Sequence, residues 1–486
     1  MRVLLFSLAV REALGACHDI TDCASCLAHK TLFVHDCYFC GVDLACHAVG
    51  SAVSPCTPSM ADDQCISLAS LSHCASNDAD MCSAMTGLDP KQIHIAVAGR
   101  TGMRVAWKTE ASTTCQLSAQ TGVSTVAGVT ERVKNYIEGY GYHHVAMLRD
   151  LVPGATYQYT ISCGGHSSTP RSFEVAPSGL TSYTALVVAD MGYGQKGNAE
   201  QSRRMMEELK ESTRLTIHAG DVGYADDSFF HALDPCNGEF CYEAVYDKYM
   251  GWVENMTDNK PYMVGPGNHE AECHSPYCLG STSHREALSN FSAYNTRWAM
   301  PSSESKGVLN MWYSFDYGSV HYVAANTETD YDSAPEQGKG PVSPSGSFAP
   351  SGAYLEWLEA DLRAASENRQ ETPWIVVFGH RTWLQNAADG CDTEVGTAHA
   401  DLFEKYGVDL YIAGHKHAYH RFLPLNGNSA TPMVVTGGAG CDEGHSNIPD
   451  IKGTANDWDY FTLASDYEVG TLEVTPSKLV WKAYNS

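Results

Sequence analysis

The sequence predicts an α/β layered domain as the body of the chain, preceded by an all-β sandwich and a small disulfide-rich module. Three observations predict this. Beyond residue 180, short apolar runs of β type alternate with helical segments, the pattern of layered α/β domains. Between residues 88 and 177 the runs are shorter and broken by turn residues, as in β-sandwiches. Ahead of both, ten of the 18 cysteines crowd between Cys17 and Cys82. The 486 residues have room for about three such units.

Composition excludes several function classes. Lys and Arg number 31 against 57 Asp and Glu, a net charge of −26. Such a surface repels phosphate backbones and anionic bilayers, so neither nucleic acid nor a membrane face is an expected partner. At 43% hydrophobic residues the chain is not of disordered composition. The longest strongly apolar stretch, Val3 to Val10, falls far short of the roughly 18 residues of a bilayer span.

The first element, residues 1–16, reads as a secretory signal peptide: Arg2, then the apolar run, then the small residue Ala16 before Cys17. A secreted location is therefore expected, with disulfides rather than zinc at the clustered cysteines. Two sequons, at Asn255 and Asn290, permit glycosylation. The second element, residues 17–85, is too loop-rich to rely on a core. Its order Cys17, Cys23, Cys26, Cys37, Cys40, Cys46, Cys56, Cys65 resembles the plexin-semaphorin-integrin module. That resemblance implies an extracellular protein or glycan as a partner for this segment.

The third element, residues 88–177, predicts strands at Ile93–Val97, Met103–Trp107, Tyr142–Ala146 and Thr156–Ile161. The segment Leu151 to Tyr157, a Pro-Gly turn followed by a strand tyrosine, resembles a fibronectin III-like domain. Cys115 and Cys163 are its only cysteines and are expected to pair. His143 and His144 read as strand residues, not ligands.

The fourth element, residues 180–486, predicts strands at Tyr183–Val188, Leu215–His218, Tyr262–Val264, His321–Ala325, Trp374–Phe378 and Leu410–Ala413, with helices at Asn198–Ser212 and Leu355–Ala365. Five of its segments end alike. They run into Asp190-Met191-Gly192, Gly220-Asp221-Val222-Gly223-Tyr224, Gly267-Asn268-His269-Glu270, Gly379-His380 and Gly414-His415-Lys416-His417. Open α/β sheets place their sites at carboxyl ends of strands. One such ending is an ordinary turn; five in one domain are not. Hard oxygens mixed with imidazoles suit iron, zinc or manganese better than calcium.

These motifs, in this order, strongly resemble those of the purple acid phosphatases of the dinuclear metallophosphoesterase superfamily. The resemblance spans residues 88 to 486, and Tyr224 is its most specific part. It implies a layered β-sandwich metallophosphoesterase domain with flanking helices. It implies that Asp190, Tyr224 and His417 hold Fe(III), that Asn268, His380 and His415 hold a divalent metal (Zn, Fe or Mn), and that Asp221 bridges the two. The loaded site would carry about +1 and attract a phosphate ester despite the acidic surface. The implied reaction is acid hydrolysis of phosphate monoesters by attack of a metal-bound hydroxide. His269 is expected to bind phosphate or protonate the leaving group.

The sequence also departs from the plant members. Arg381 to Gly390 lacks the histidines that they carry after the fourth motif, so Asp389 or Asp392 becomes a candidate for the leaving-group role. His399 reads as structural. Cys236 with Cys241, and Cys273 with Cys278, are expected to pair locally or crosswise, and Cys441 is expected to bridge to Cys391. Val434 to Gly440 reads as a tight turn beside the site. Two rival readings stand beside the phosphatase: a phosphodiesterase or nucleotide pyrophosphatase on the same metals, and an extracellular binding or adhesion protein.

Overall fold

The computed structural model describes residues 87–486 except 123, 194–197, 227–241, 272–280, 339–344, 385–391, 426–429, 447–449, 456–457 and 486. Before residue 87 it describes two small antiparallel pairs, Lys30–Thr31 with Val34–His35 and Cys37–Cys40 with Ala45–Ala48. The signal segment, the pairing of the early cysteines, and Cys236, Cys241, Cys273, Cys278, Asp389 and Cys391 lie outside the described residues.

Residues 91–174 form two antiparallel sheets. One orders Lys91–Val97, Met103–Thr109, Tyr142–Leu148 and Val129–Lys134; the other centres on Cys115–Thr121 and Thr156–Cys163. Cys115–Thr121 alternates buried and exposed positions, as a half-buried strand must. Ile95, Val105, Trp107, Leu117, Tyr159, Ile161 and Phe173 share one core. Cys115 and Cys163 face each other in register and are disulfide-bonded, as expected. The Tyr157 hydroxyl accepts from the Val152 amide at 3.2 Å and so fixes the Pro-Gly turn.

Met103–Thr109 breaks the alternation, because all seven of its residues are buried. Its second face packs on the larger domain, and its charges are answered there. Arg104 pairs with Glu304 at 2.7 Å, and Lys108 pairs with Asp247. The fully buried Arg297 continues this seam. It reaches Glu243 and Asp247, both at 2.7 Å, within the larger domain, and donates to Tyr136 at 2.9 Å across the seam.

The larger domain packs two mixed sheets face to face. The first orders Tyr262–Val264, Leu215–His218, Tyr183–Val188, Glu468–Thr475 and Lys478–Asn485. The second has eight strands and includes Val320–Ala324, Trp374–Phe378, Leu410–Ala413 and Met433–Thr436 as parallel neighbours. These inner strands are buried on both faces, which explains their unbroken apolar runs. Tyr183 and Tyr322 share a hydroxyl contact of 2.8 Å between the sheets. Helices Ala199–Lys210 and Ala353–Glu367 each bury one stripe against a sheet.

Most predicted strands stand within a residue or two of their expected ends. The helix Tyr242–Trp252 was not expected. It buries Tyr242, Glu243, Val245, Tyr246, Tyr249 and Met250, so polar residues interrupt its inner face. The edge strand Val129–Lys134 was also missed, because nearly all its residues are exposed, Val129 and Val133 included, so no apolar alternation marks it.

Candidate metal centre

Four non-glycine residues of the motifs adopt left-handed backbone: Asp190 (φ 57°), Asp221 (φ 51°), Tyr224 (φ 48°) and His415 (φ 67°). Each costs on the order of 1 kcal/mol or more and persists only where the surroundings over-determine it. Here the loops leave parallel strands sharply and turn their side chains to one place. Two glycines make the approach possible. A Cβ on Gly267 would lie 2.2 Å from Asp221 Oδ1, and one on Gly414 would lie 2.4 Å from Asp190 Oδ2. Glu270 locks the second and third motifs together. It accepts from the amides of Asp221 (2.9 Å), Val222 (2.8 Å) and Gly267 (2.9 Å).

Two clusters result. In the first, Tyr224 Oη lies 3.0 Å from His417 Nε2 and 3.3 Å from Asp190 Oδ1. In the second, His380 Nε2 lies 2.9 Å from Asp221 Oδ2 and 3.1 Å from Asn268 Oδ1, with His415 within 4.8 Å of the Asp221 and His380 donors. His415 also ties the clusters together, since its amide donates to Asp190 Oδ2 at 2.9 Å.

The donor atoms fit metal ions. His380 Nδ1 sits 3.0 Å from the Ala219 carbonyl, which can only accept, so Nδ1 carries the hydrogen. His380 Nε2 therefore turns a lone pair toward Asp221 Oδ2, and that buried oxygen has no hydrogen-bond partner. His417 repeats the arrangement, with Nδ1 3.0 Å from the Gly444 carbonyl and Nε2 facing acceptors. Imidazoles held this way are the usual ligand form. Without a cation the site draws protons instead. Against the cost of burial, Asp221 and Asp190 raise His380 to about 10, and Asp190 and Cys441 raise His417 to about 11. Burial and the Arg381 guanidinium keep His415 neutral.

His269 stands between the clusters. Its amide donates to Asp221 Oδ1 at 2.9 Å, and its ring lies 4.1 Å from that of Tyr224. Nδ1 is 2.9 Å from the buried carboxylate of Asp226, while Nε2 faces Asp221 Oδ2 at 3.9 Å and Glu443 at 3.8 Å. Asp226 fixes the ring with Nε2 toward the reaction space. Sequence reasoning missed Asp226, although it follows Asp221 by only five residues. It also missed Arg381, whose Nη1 donates to His415 Nε2 at 3.1 Å while Glu328 and Glu336 anchor it at 2.8 Å each. No motif marked either residue.

The other candidates sort cleanly. Asp392 lies at the rim, 3.8 Å from His415 Nε2. His399 bonds Tyr354 at 2.8 Å in the core, as expected. The turn expected over Val434 to Gly440 is corrected in its first half: Val434 to Thr436 continue the buried strand Met433–Thr436, and the chain turns beside the site only from Gly437, close to Asp190. The expected bridge from Cys441 is corrected: Cys441 is a free, buried thiol packed against His417, held there by its amide bond to the Asp190 carbonyl.

Family models match in three stretches: calcineurin-like phosphoesterase over residues 183–419, the purple acid phosphatase N-terminal domain over 90–175, and the iron/zinc purple acid phosphatase-like C-terminal segment over 430–486. The chain is 31% identical over 426 residues to acid phosphatase A of Cryphonectria parasitica, covering 74% of this chain and 82% of that one. It is 29% identical over 400 residues to human acid phosphatase type 7, covering 73% and 78%. Among solved structures, the purple acid phosphatase PPD1 from yellow lupin seeds shares the fold, with a TM-score of 0.60 at 19% identity over 82% of this chain and 72% of that chain.

Proposed function

The chain belongs to the purple acid phosphatase family, and on that premise we propose that it hydrolyses phosphate monoesters at the centre formed by the five motif loops. Asp190, Tyr224 and His417 would hold Fe(III). Asn268, His380 and His415 would hold a divalent ion, zinc, iron or manganese, and Asp221 would contact both. The observation that carries this reading is the pair His380 Nε2 and Asp221 Oδ2, 2.9 Å apart, lone pair to unpartnered oxygen, in a buried site. A bound cation would satisfy both atoms without displacing the ring, in place of the proton that the metal-free site draws onto His380.

Bound metals supply Lewis acidity and lower the pKa of water, so that hydrolysis runs at acid pH. The chain's own residues do the rest. Phenolate and carboxylate oxygens match a trivalent ion, while a neutral amide and two imidazoles match a dication. His269, oriented by Asp226, places Nε2 where a phosphate oxygen or the departing alkoxide lies and supplies the proton. Glu270 holds the Asp221 and Asn268 loops at fixed separation and thereby fixes the spacing between the two positions.

Residues 88–177 act as a structural partner of the catalytic domain, 180–486, on this reading. Secretion is supported by the leader-like 1–16 segment and by the Cys115–Cys163 disulfide. No helix among the described residues is long and apolar enough to cross a membrane.

The test is metal content, visible spectrum and turnover on the secreted full chain. Near-stoichiometric iron with a second metal, a colour lost in Tyr224→Phe, and preference for p-nitrophenyl phosphate over its bis ester are expected. Metal-free folded protein would overturn the proposal. Preference for the diester would move the activity to phosphodiester hydrolysis.

A further inference from the structure

The fourth motif runs straight into an arginine that its neighbours hold rigidly. Arg381 is only 7% exposed. Its Nε donates to Glu328 and its Nη2 to Glu336, both at 2.8 Å. Its backbone is pinned as well. The amide donates to Thr327 Oγ1 at 3.1 Å, and the carbonyl accepts from the Tyr411 hydroxyl at 2.7 Å. Thr327 Oγ1 in turn donates to Glu328 Oε1 at 2.8 Å, so the arginine and its anchor are braced by one residue. The third prong of the fork, Nη1, points into the second cluster. It lies 3.1 Å from His415 Nε2, with Asp392 Oδ1 at 3.5 Å.

The bond from Nη1 to His415 cannot outlast the ligand role assigned to that histidine. A neutral imidazole that holds an ion through Nε2 has spent its lone pair there. One that holds the ion through Nδ1 carries its hydrogen on Nε2. In both cases the Nη1 hydrogen loses this acceptor, while Glu328 and Glu336 keep the guanidinium in place. We propose that Arg381 binds the substrate's phosphate, donating from Nη1 to a terminal oxygen of the group bound at the second metal position. This rests on the phosphatase reading above. Asp392 is the rival acceptor, and the test below separates the two. A charge-assisted donor fixed in buried surroundings stabilises an anion more than a mobile surface one does. The dianion of a monoester gains more from a fixed cation than the monoanion of a diester. Arg381 thereby also favours monoesters over diesters.

A crystal structure of the full-length holoprotein with inorganic phosphate tests the contact directly. Nη1 is expected within about 3.2 Å of a phosphate oxygen. A guanidinium turned wholly onto Asp392, away from the anion, overturns the proposal and leaves the phosphatase reading intact. In solution, Arg381→Gln should keep both metals and weaken competitive inhibition by inorganic phosphate about 10- to 100-fold. It should also lower kcat/KM for p-nitrophenyl phosphate more than for the bis ester. Arg381→Lys, which keeps the charge and loses the fork, should fall between. Equal losses on both esters with unchanged phosphate inhibition mark a merely structural arginine and overturn the proposal. A wild-type protein that binds no metal overturns both this and the phosphatase reading. Should the variants lose metal or fail to fold, the wild-type phosphate complex decides alone.

Discussion

The sandwich and the catalytic domain each carry neighbouring histidines on or beside a β-strand, and they put them to opposite uses. His143 and His144 lie inside the strand Tyr142–Leu148. His144 bonds Thr109 at 2.8 Å and stacks on Trp107, and burial lowers its pKa to about 4. It is a neutral core residue. His415 and His417 lie just past the end of Leu410–Ala413, where the backbone of His415 bends into the left-handed region. Carboxylates face them, and His417 is raised to about 11 despite its burial. Residue type is shared, while His415 and His417 keep some exposure where His143 and His144 keep almost none. What differs is position along the strand and the charge opposite. A strand interior offers neighbours on its sheet; a strand end lets several loops aim at one point.

The contrast is broken most severely by removing the negative charge that only one region has. Asp221→Asn is expected to lower kcat/KM by about 10³-fold or more and to release metal, since the oxygen between the two positions loses its charge. Intact turnover with full metal content would refute the dinuclear assignment. Asp226→Asn sharpens the picture. It frees the His269 ring without touching a proposed ligand, so kcat should fall about 10- to 100-fold with metal content unchanged.

A third site tests charge without metal. His321 is held by Asp316 at 2.7 Å and Asp361 at 3.0 Å. Burial opposes its charge, yet these carboxylates raise it from 6.5 to about 9. The folded pKa exceeds the unfolded one. Its stabilisation is therefore complete below about pH 6.5 and is lost as pH rises through about 9. His321→Gln should cost about 1–3 kcal/mol near pH 6 and much less near pH 10, read by urea unfolding at both. The smallest effect belongs to the sandwich. His144→Gln should cost about 1 kcal/mol of stability and leave turnover and metal content unchanged.

Much of this was legible in the sequence for a physical reason. Fully buried parallel strands need continuous apolar runs, and tight exits from them need small residues, so Val376-Val377-Phe378-Gly379-His380 shows both strand and site. Asp226, Glu270 and Arg381 act through hydrogen bonds to partners far away along the chain. Such pairings leave no local pattern, although Glu270 lies inside a motif. Cys441 misled for the same reason. The sequence suggested a bridge to Cys391, and only the packing shows the Cys441 thiol turned to His417 instead.

The seam built by Arg104, Lys108 and Arg297 bears on cooperativity. A strand covered on both faces belongs to two cores at once. Stripping the sandwich away would leave Glu243 and Asp247 facing a guanidinium deprived of its Tyr136 bond, and Asp247 without its lysine. Breaking one partner of a buried ion pair is costly, typically about 3–5 kcal/mol. The sandwich and the metal-bearing sheets are thus thermodynamically one body, and calorimetry should find a single transition where the domain boundary in the sequence suggests two.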